Sequence, residues 1–228
     1  MKKGFTLVEL SIVLVIIGLL IGGILVGQSL IEASKISKIV RDVYQIQVAL
    51  RTFKAKYKFF PGDYPKGAQL GCPSGSCTGN GNNLIDWNEM LNSWYQLGVT
   101  QTYTGTFSGG SPATNPYIAG KDIPAVKEIG DNAGYMLSWW SSGDPSLKYG
   151  KNYIVIAKNT INGPALSVER TIAIDSKIDD GKRGSGTVSG LGNAYVCDQG
   201  GNYYNWGAGA ANITNPNACV VWMQFDDN

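Results

Sequence analysis

The residue whose position most demands a chemical explanation is Glu9. It stands inside "GFTLVELSIVLVIIGLLIGGILVG", residues 4–27, an otherwise apolar run long enough to cross a bilayer. An ionised carboxylate in hydrocarbon is strongly disfavoured unless it is paired. A secretory signal sequence normally keeps its apolar segment free of acid, so Glu9 argues against ordinary signal cleavage. Whatever partner Glu9 meets must lie near the start of a membrane helix, where the helix dipole already favours negative charge.

Other residues offer less. The 228-residue chain contains no histidine, which removes the commonest general base and the commonest metal ligand and leaves no Ser–His or Cys–His pair. Cys72, Cys77, Cys197 and Cys219 form an even set with spacings unlike a zinc site, so disulfides in an oxidising compartment are expected. Three connectivities exist for four cysteines; the local pairs Cys72–Cys77 and Cys197–Cys219 are favoured. "TGNGNNLIDWNE", residues 78–89, partly fits a calcium-loop template through Thr78, Asn80, Asn82, Asp86 and Glu89, but Asn83 replaces the glycine. An Asn/Gly loop leading into a helix at Trp87 is the preferred reading, with calcium the one candidate cofactor. Asp175, Asp179 and Asp180 read as a turn after a helix rather than a catalytic pair. Trp139-Trp140 reads as packing rather than as a stacking surface for sugar or nucleic acid.

The elements that position these residues follow from pattern. Phe5 to Ile31 has only Thr6, Glu9, Ser11, Gln28 and Ser29 as polar members, which predicts a single membrane span over about 5–28. Lys2 and Lys3 place the first residues on the cytoplasmic side and everything beyond Gln28 outside; Lys35, Lys38 and Arg41 weakly oppose this. These three cations also suit lipid phosphates. Ile36, Ile39, Val40, Val43, Ile46, Leu50, Phe53 and Tyr57 recur every three or four residues, the signature of an amphipathic helix. With no proline before Pro61, one helix from about Thr6 to Lys58, ~80 Å long, is predicted. Its second half needs a head domain, residues 59–228, to cover its apolar face.

Within the head, Trp87, Met90, Leu91, Trp94 and Leu97 predict a short helix. "AGYMLSWW" and "NYIVIAK" predict two strands joined by a turn. "SVERTIAIDSKIDDG" is ambiguous, and a helix capped by Ser167 and ending near Gly181 is preferred. "NAYVC" and "ACVVWMQF" predict closing strands. The fold class is therefore α+β, a long N-terminal helix on a mostly antiparallel sheet. Charge is also distributed unevenly. Residues 32–58 carry seven basic and two acidic side chains, a local +5, whereas residues 59–228 carry ten and fourteen, a local −4. Without Lys2 and Lys3 the chain is neutral, which argues against bulk binding of nucleic acid.

The first residues resemble the N-terminus of type IV pilins and of type II secretion pseudopilins, through Gly4, Phe5, Thr6, Leu7, Val8, Glu9 and Gly18. The resemblance covers the helix closely and the head loosely, through "FPGDYP", "GNGNN" and "KIDDGKRGSGTV". It implies a leader of residues 1–4 removed by a prepilin peptidase between Gly4 and Phe5, then N-methylation of Phe5. It implies that Glu9 serves assembly by pairing with the N-terminal amine of a neighbouring subunit. The electrostatic reading reaches the same point, since cleavage would place an ammonium four residues before Glu9, though its own amine satisfies that argument equally. Gly18/Gly22 and Gly23/Gly27 are small-xxx-small pairs suited to close helix packing, or reflect the general tolerance of membrane helices for glycine. Many pilins have a proline where this chain has Val26, so melting of the helix in a filament is less assured here.

The resemblance further implies a structural subunit rather than an enzyme. Its partners would be other pilin or pseudopilin subunits, the peptidase, an inner-membrane assembly platform and, before assembly, lipid. It would sit in the inner membrane with its head in the periplasm, and later in an extracellular pilus or periplasmic pseudopilus. The alternative is a minor tip subunit whose head binds a ligand, in adhesion or DNA uptake. A secreted enzyme behind a signal sequence is disfavoured by Glu9 and by the missing histidine.

Overall fold

A computed structural model describes residues 6–71, 77–109, 117–130, 132–139, 147–161, 163–182, 185–191, 197 and 219–226. The chain divides into two compact units, Met1–Lys38 and Ile39–Asn228. Helix α1 runs without interruption over Leu7–Tyr57. No residue in it is proline, so no position in it lacks a backbone N–H for the hydrogen-bond ladder. It ends at Lys58, whose φ of 69° is left-handed and whose N–H still reaches the Lys54 carbonyl at 2.8 Å. Such a residue turns the chain out of a helix.

From Leu7 to Ile31 the large apolar side chains stand open: Leu7 is 86% exposed and Leu19 73%. The helix is long and apolar enough to cross a membrane. In the second unit the same helix is amphipathic. Ile39, Val43, Ile46, Leu50 and Phe53 are buried, while Arg41, Tyr44, Val48 and Arg51 face outward. The periodicity of three and four predicted this division, and it makes residues 39–57 part of the head's core rather than a stalk beneath it.

The head's sheet has four antiparallel strands in the order β1-β2-β4-β3. They are β1 (Ala133–Trp139), β2 (Asn152–Lys158), β3 (Val188–Leu191) and β4 (Val220–Gln224). β1 and β2 pair in the register Ala133↔Lys158 to Trp139↔Asn152. Both are buried along nearly their whole length, so both faces of the sheet are covered, which is why their sequences are continuous apolar runs rather than alternating ones. Tyr135, buried in β1, donates its hydroxyl to Asp42 of α1 at 3.4 Å, tying helix to sheet.

Two further helices follow their sequence signals. After a 3-10 turn at Trp87–Glu89, α2 spans Met90–Val99 and buries Met90, Leu91, Trp94 and Leu97. Helix α3 spans Val168–Ile178, with the Ser167 hydroxyl accepting the Arg170 N–H as its N-cap. The strand predicted at "NAYVC" falls, except for Cys197, outside the described residues; the structure has β3 a few residues earlier, at Val188–Leu191.

Candidate functional site

At the start of α1 the Glu9 carboxylate is already engaged. Its Oε2 accepts the Thr6 backbone N–H and the Thr6 hydroxyl, each at 2.8 Å, while the Glu9 N–H donates to Thr6 Oγ1 at 3.3 Å. Thr6-Leu7-Val8-Glu9 is thus a capping box, in which the threonine and the glutamate three residues later satisfy each other's orphan donors. The sequence reading gave Glu9 only an amine as partner. The T-x-x-E spacing was a second signal, and it assigns Thr6 a role: it holds the carboxylate at the first turn. One oxygen thereby serves the chain's own helix start. Gly4 and Phe5 lie outside the described residues.

Gly18, Gly22, Gly23 and Gly27 all lie within α1, and a Cβ built on any of them meets nothing within 4 Å. Within a single chain the missing side chains therefore relieve no contact. A glycine in a helix costs about 1 kcal/mol relative to alanine.

In the head, the calcium-like segment is organised by hydrogen bonds of its own. Asn80 Oδ1 accepts the Asn82 N–H at 2.9 Å, and Asn82 Oδ1 accepts the Leu84 N–H at 2.7 Å. Asp86 Oδ2 accepts from the Asn80 amide at 2.6 Å. Glu89, only 7% exposed, accepts the Asn80 N–H through Oε1 and the Asp86 N–H through Oε2, both at 3.0 Å. Thr78 is exposed. A cation at these residues would compete with the loop's own donors for Asn80, Asn82, Asp86 and Glu89.

The residue that anchors the loop is Asp63, to which the sequence reading gave no role. Fully buried, its Oδ1 accepts the N–H groups of Gly81 at 2.6 Å and Asn82 at 3.0 Å, and its Oδ2 accepts Asn83 at 2.7 Å. Gly79 permits this approach, since a Cβ there would lie 2.1 Å from the Asp63 carbonyl carbon. Gln96 of α2 ties the same region together, accepting from Gly62 N–H at 2.7 Å and donating to the Cys77 carbonyl at 3.0 Å. A Gly/Asn loop whose N–H groups turn inward requires an acceptor, and "FPGD" just ahead of it was the available hint.

Two buried carboxylates so close together have a titration consequence. Burial pushes Glu89 from 4.5 up to about 7, opposed by the N–H groups of Asp86 and Asn80 and reinforced by repulsion from Asp63 and Asp86. Burial likewise raises Asp63, against its three N–H donors. A carboxyl that keeps its proton when folded but loses it when unfolded makes stability fall as pH rises between the two pKa values. The head is therefore expected to lose stability from about pH 4.5 to about pH 7, by on the order of 2 kcal/mol. Thermal unfolding across this range measures the slope, and Glu89→Gln should flatten it.

Cys197 and Cys219 form a disulfide with Cα atoms 5.4 Å apart, and both are buried. Cys219 also exchanges backbone hydrogen bonds with Leu166 just before β4. Cys77 is described and disulfide-bonded; Cys72 lies outside the described residues. Asp175, Asp179 and Asp180 bring oxygens within 4.8 Å of one another. Their contacts are those of a turn: Asp179 accepts from the Thr187 and Val188 N–H groups, Asp175 from Gly181, and Asp180 from Ser185. Trp139 lies at the end of β1 against Tyr149, and Trp140 lies outside the described residues.

The described residues thus comprise an α+β head and a helix whose first half is apolar, open and long enough to cross a membrane. Residues 1–25 match the prokaryotic N-terminal methylation motif, the prepilin motif of type IV pilin and pseudopilin precursors. No curated protein and no solved structure matches the chain. The motif and the helix together point to membrane anchoring.

Proposed function

We propose that the chain is a structural subunit of a type IV pilus-like or type II secretion filament, made as a precursor and cut by a prepilin peptidase between Gly4 and Phe5. The observation that carries this reading is the methylation motif at residues 1–25 on a helix whose large apolar side chains stand open from Leu7 to Ile31. Gly4 suits a bond bound closely in extended form, because it has no Cβ to hold a catalytic group away. Phe5 then carries the methylated amine. Glu9, held at the first turn by Thr6, faces the charge that cleavage creates, and a neighbouring subunit's amine offers it a partner outside its own helix. Before assembly the span rests in the inner membrane with the head in the periplasm. Afterwards lipid is exchanged for neighbouring helices, in a pilus or a periplasmic pseudopilus.

Amino-terminal sequencing of mature protein from membranes tests this directly. A start at methyl-Phe5 supports the reading. Retention of residues 1–4 in assembled protein, or a start near Ser34, overturns it.

The glycine pairs belong to the same proposal. Gly22→Leu should leave the single chain folded and inserted, since nothing within 4 Å opposes a Cβ there, yet lower its recovery in filaments by about tenfold. Shear fractionation of the two forms checks this. The "TGNGNN" segment serves mainly to build the head, and calcium binding at Thr78, Asn80, Asn82, Asp86 and Glu89 stays a secondary proposal. Calorimetric titration with millimolar calcium tests it, and absence of heat leaves the loop alone. The second functional reading, a minor tip subunit whose head binds a ligand, is favoured by the cleft described next.

A further inference from the structure

A cleft of about 570 Å³ opens in the head between the end of α1, the Asn-rich loop, the turn before β2 and the residues after β4. Lys54, Phe60, Asn82, Asn83, Leu84, Gly150 and Asp226 line it. Its size falls within the range of small-molecule sites. Its lining mixes apolar surface from Phe60 and Leu84 with a few polar groups.

Asn83 is held from both sides. Its N–H donates to Asp63, its carbonyl accepts from the Asn152 amide at 2.8 Å, and its backbone sits at a φ of 65°. Its side-chain amide meanwhile has no hydrogen-bond partner among the described residues. Asp226, 8% exposed, is clamped by buried Asn152, whose N–H reaches both carboxylate oxygens at 3.1 Å and whose amide reaches Oδ2 at 2.9 Å. The Lys54 ammonium stands 3.8 Å from the centroid of the Phe60 ring and makes no ion pair among the described residues. Lys151 acts electrostatically on Asp226. Lys54 is thus the one cation in the cleft's lining, and Asp226, the one carboxylate there, is already held by Asn152.

Immediately before Gly150 in the chain stands Tyr149, 73% exposed, its ring edge-to-face with Trp139 at 5.8 Å. Tyr149 is outside the cleft's lining, and its exposed ring offers a face to a sugar ring that extends past Gly150. Amide donors and a carboxylate acceptor suit hydroxyl groups, which donate and accept. An unpaired ammonium suits one carboxylate.

We infer that this cleft is a binding site for an acidic sugar, a uronate-type residue whose carboxylate meets Lys54 and whose hydroxyls meet Asn83 and Asp226. An acidic peptide would satisfy Lys54, and its backbone groups can meet the amide and Asp226, but it has no sugar ring face to lay on Tyr149. The inference goes beyond filament assembly and does not depend on cleavage at Gly4.

The test is calorimetric titration of the full chain in detergent with trigalacturonic acid, with galactotriose and a tri-glutamate peptide as comparisons. Trigalacturonic acid is expected to bind about tenfold more tightly than galactotriose or the peptide. Lys54→Met, which keeps an apolar chain over Phe60, should reduce its affinity to the galactotriose level. Asn83→Gly, which tolerates the positive φ and removes the amide, should weaken both saccharides by several-fold while leaving thermal unfolding close to that of the parent. The inference is overturned by no binding of trigalacturonic acid at millimolar concentration, by equal affinity of Lys54→Met, or by tri-glutamate binding as tightly. Filament incorporation of Lys54→Met, read separately, distinguishes failure of this site from failure of the assembly proposal.

Discussion

Glu9→Gln is expected to insert in the membrane and to be cleaved after Gly4, yet to reach filaments about tenfold or more less efficiently than the parent. Glutamine keeps an acceptor for the Thr6 N–H, so the helix start survives, as it does in capping boxes that carry glutamine. What disappears is the negative charge. Glu9→Ala removes the charge and the cap together. A comparison of the two separates the local role from the intermolecular one. If capping alone mattered, Glu9→Gln would assemble normally and Glu9→Ala would not. If charge alone mattered, both would fail equally. Immunoblotting of membrane and sheared-filament fractions reads the result, and normal incorporation of both variants would remove Glu9 from the assembly mechanism. Thr6→Val supplies a further comparison, since it deletes the hydroxyl that donates to Oε2 while the backbone N–H remains.

The second large effect is expected at Asp63. Asp63→Ala leaves the N–H groups of Gly81, Asn82 and Asn83 without their acceptor at a buried position. Unpaired buried donors cost about 1–3 kcal/mol each. Solvent entry into a surface loop recovers part of this, so a loss of about 3–5 kcal/mol is expected. That is a large share of the ~5–15 kcal/mol by which domains are stable. Asp63→Asn keeps one oxygen, and through it up to two of the three bonds, and removes a charge that repels Glu89. It should therefore lose much less. Equilibrium unfolding followed by tryptophan fluorescence checks the order. The same substitution should disturb Asn83, so Asp63→Ala should also abolish saccharide binding in the cleft.

Much of this molecule is legible one helical turn at a time. The span, the amphipathic continuation to Tyr57, the Ser167 cap and the methylation motif each rest on residues a few positions apart, where side-chain periodicity and capping act within a continuous segment. Even the Thr6–Glu9 box belongs here, since its two members are three residues apart. The strand segments at 133–139 and 152–158 were visible for the same reason.

Tertiary structure alone decided which distant segments meet. Nothing local indicated that β4 would lie between β2 and β3, or that Asn152 would join Asn83 to Asp226 across separations of 69 and 74 residues. Asp63 looked like one more loop acid until folding brought three N–H groups around it. Such contacts depend on burial and on chain closure over long loops, which no short window of residues contains. The sequence by itself settled what the helix is and how it begins; folding settled what the head's polar residues face.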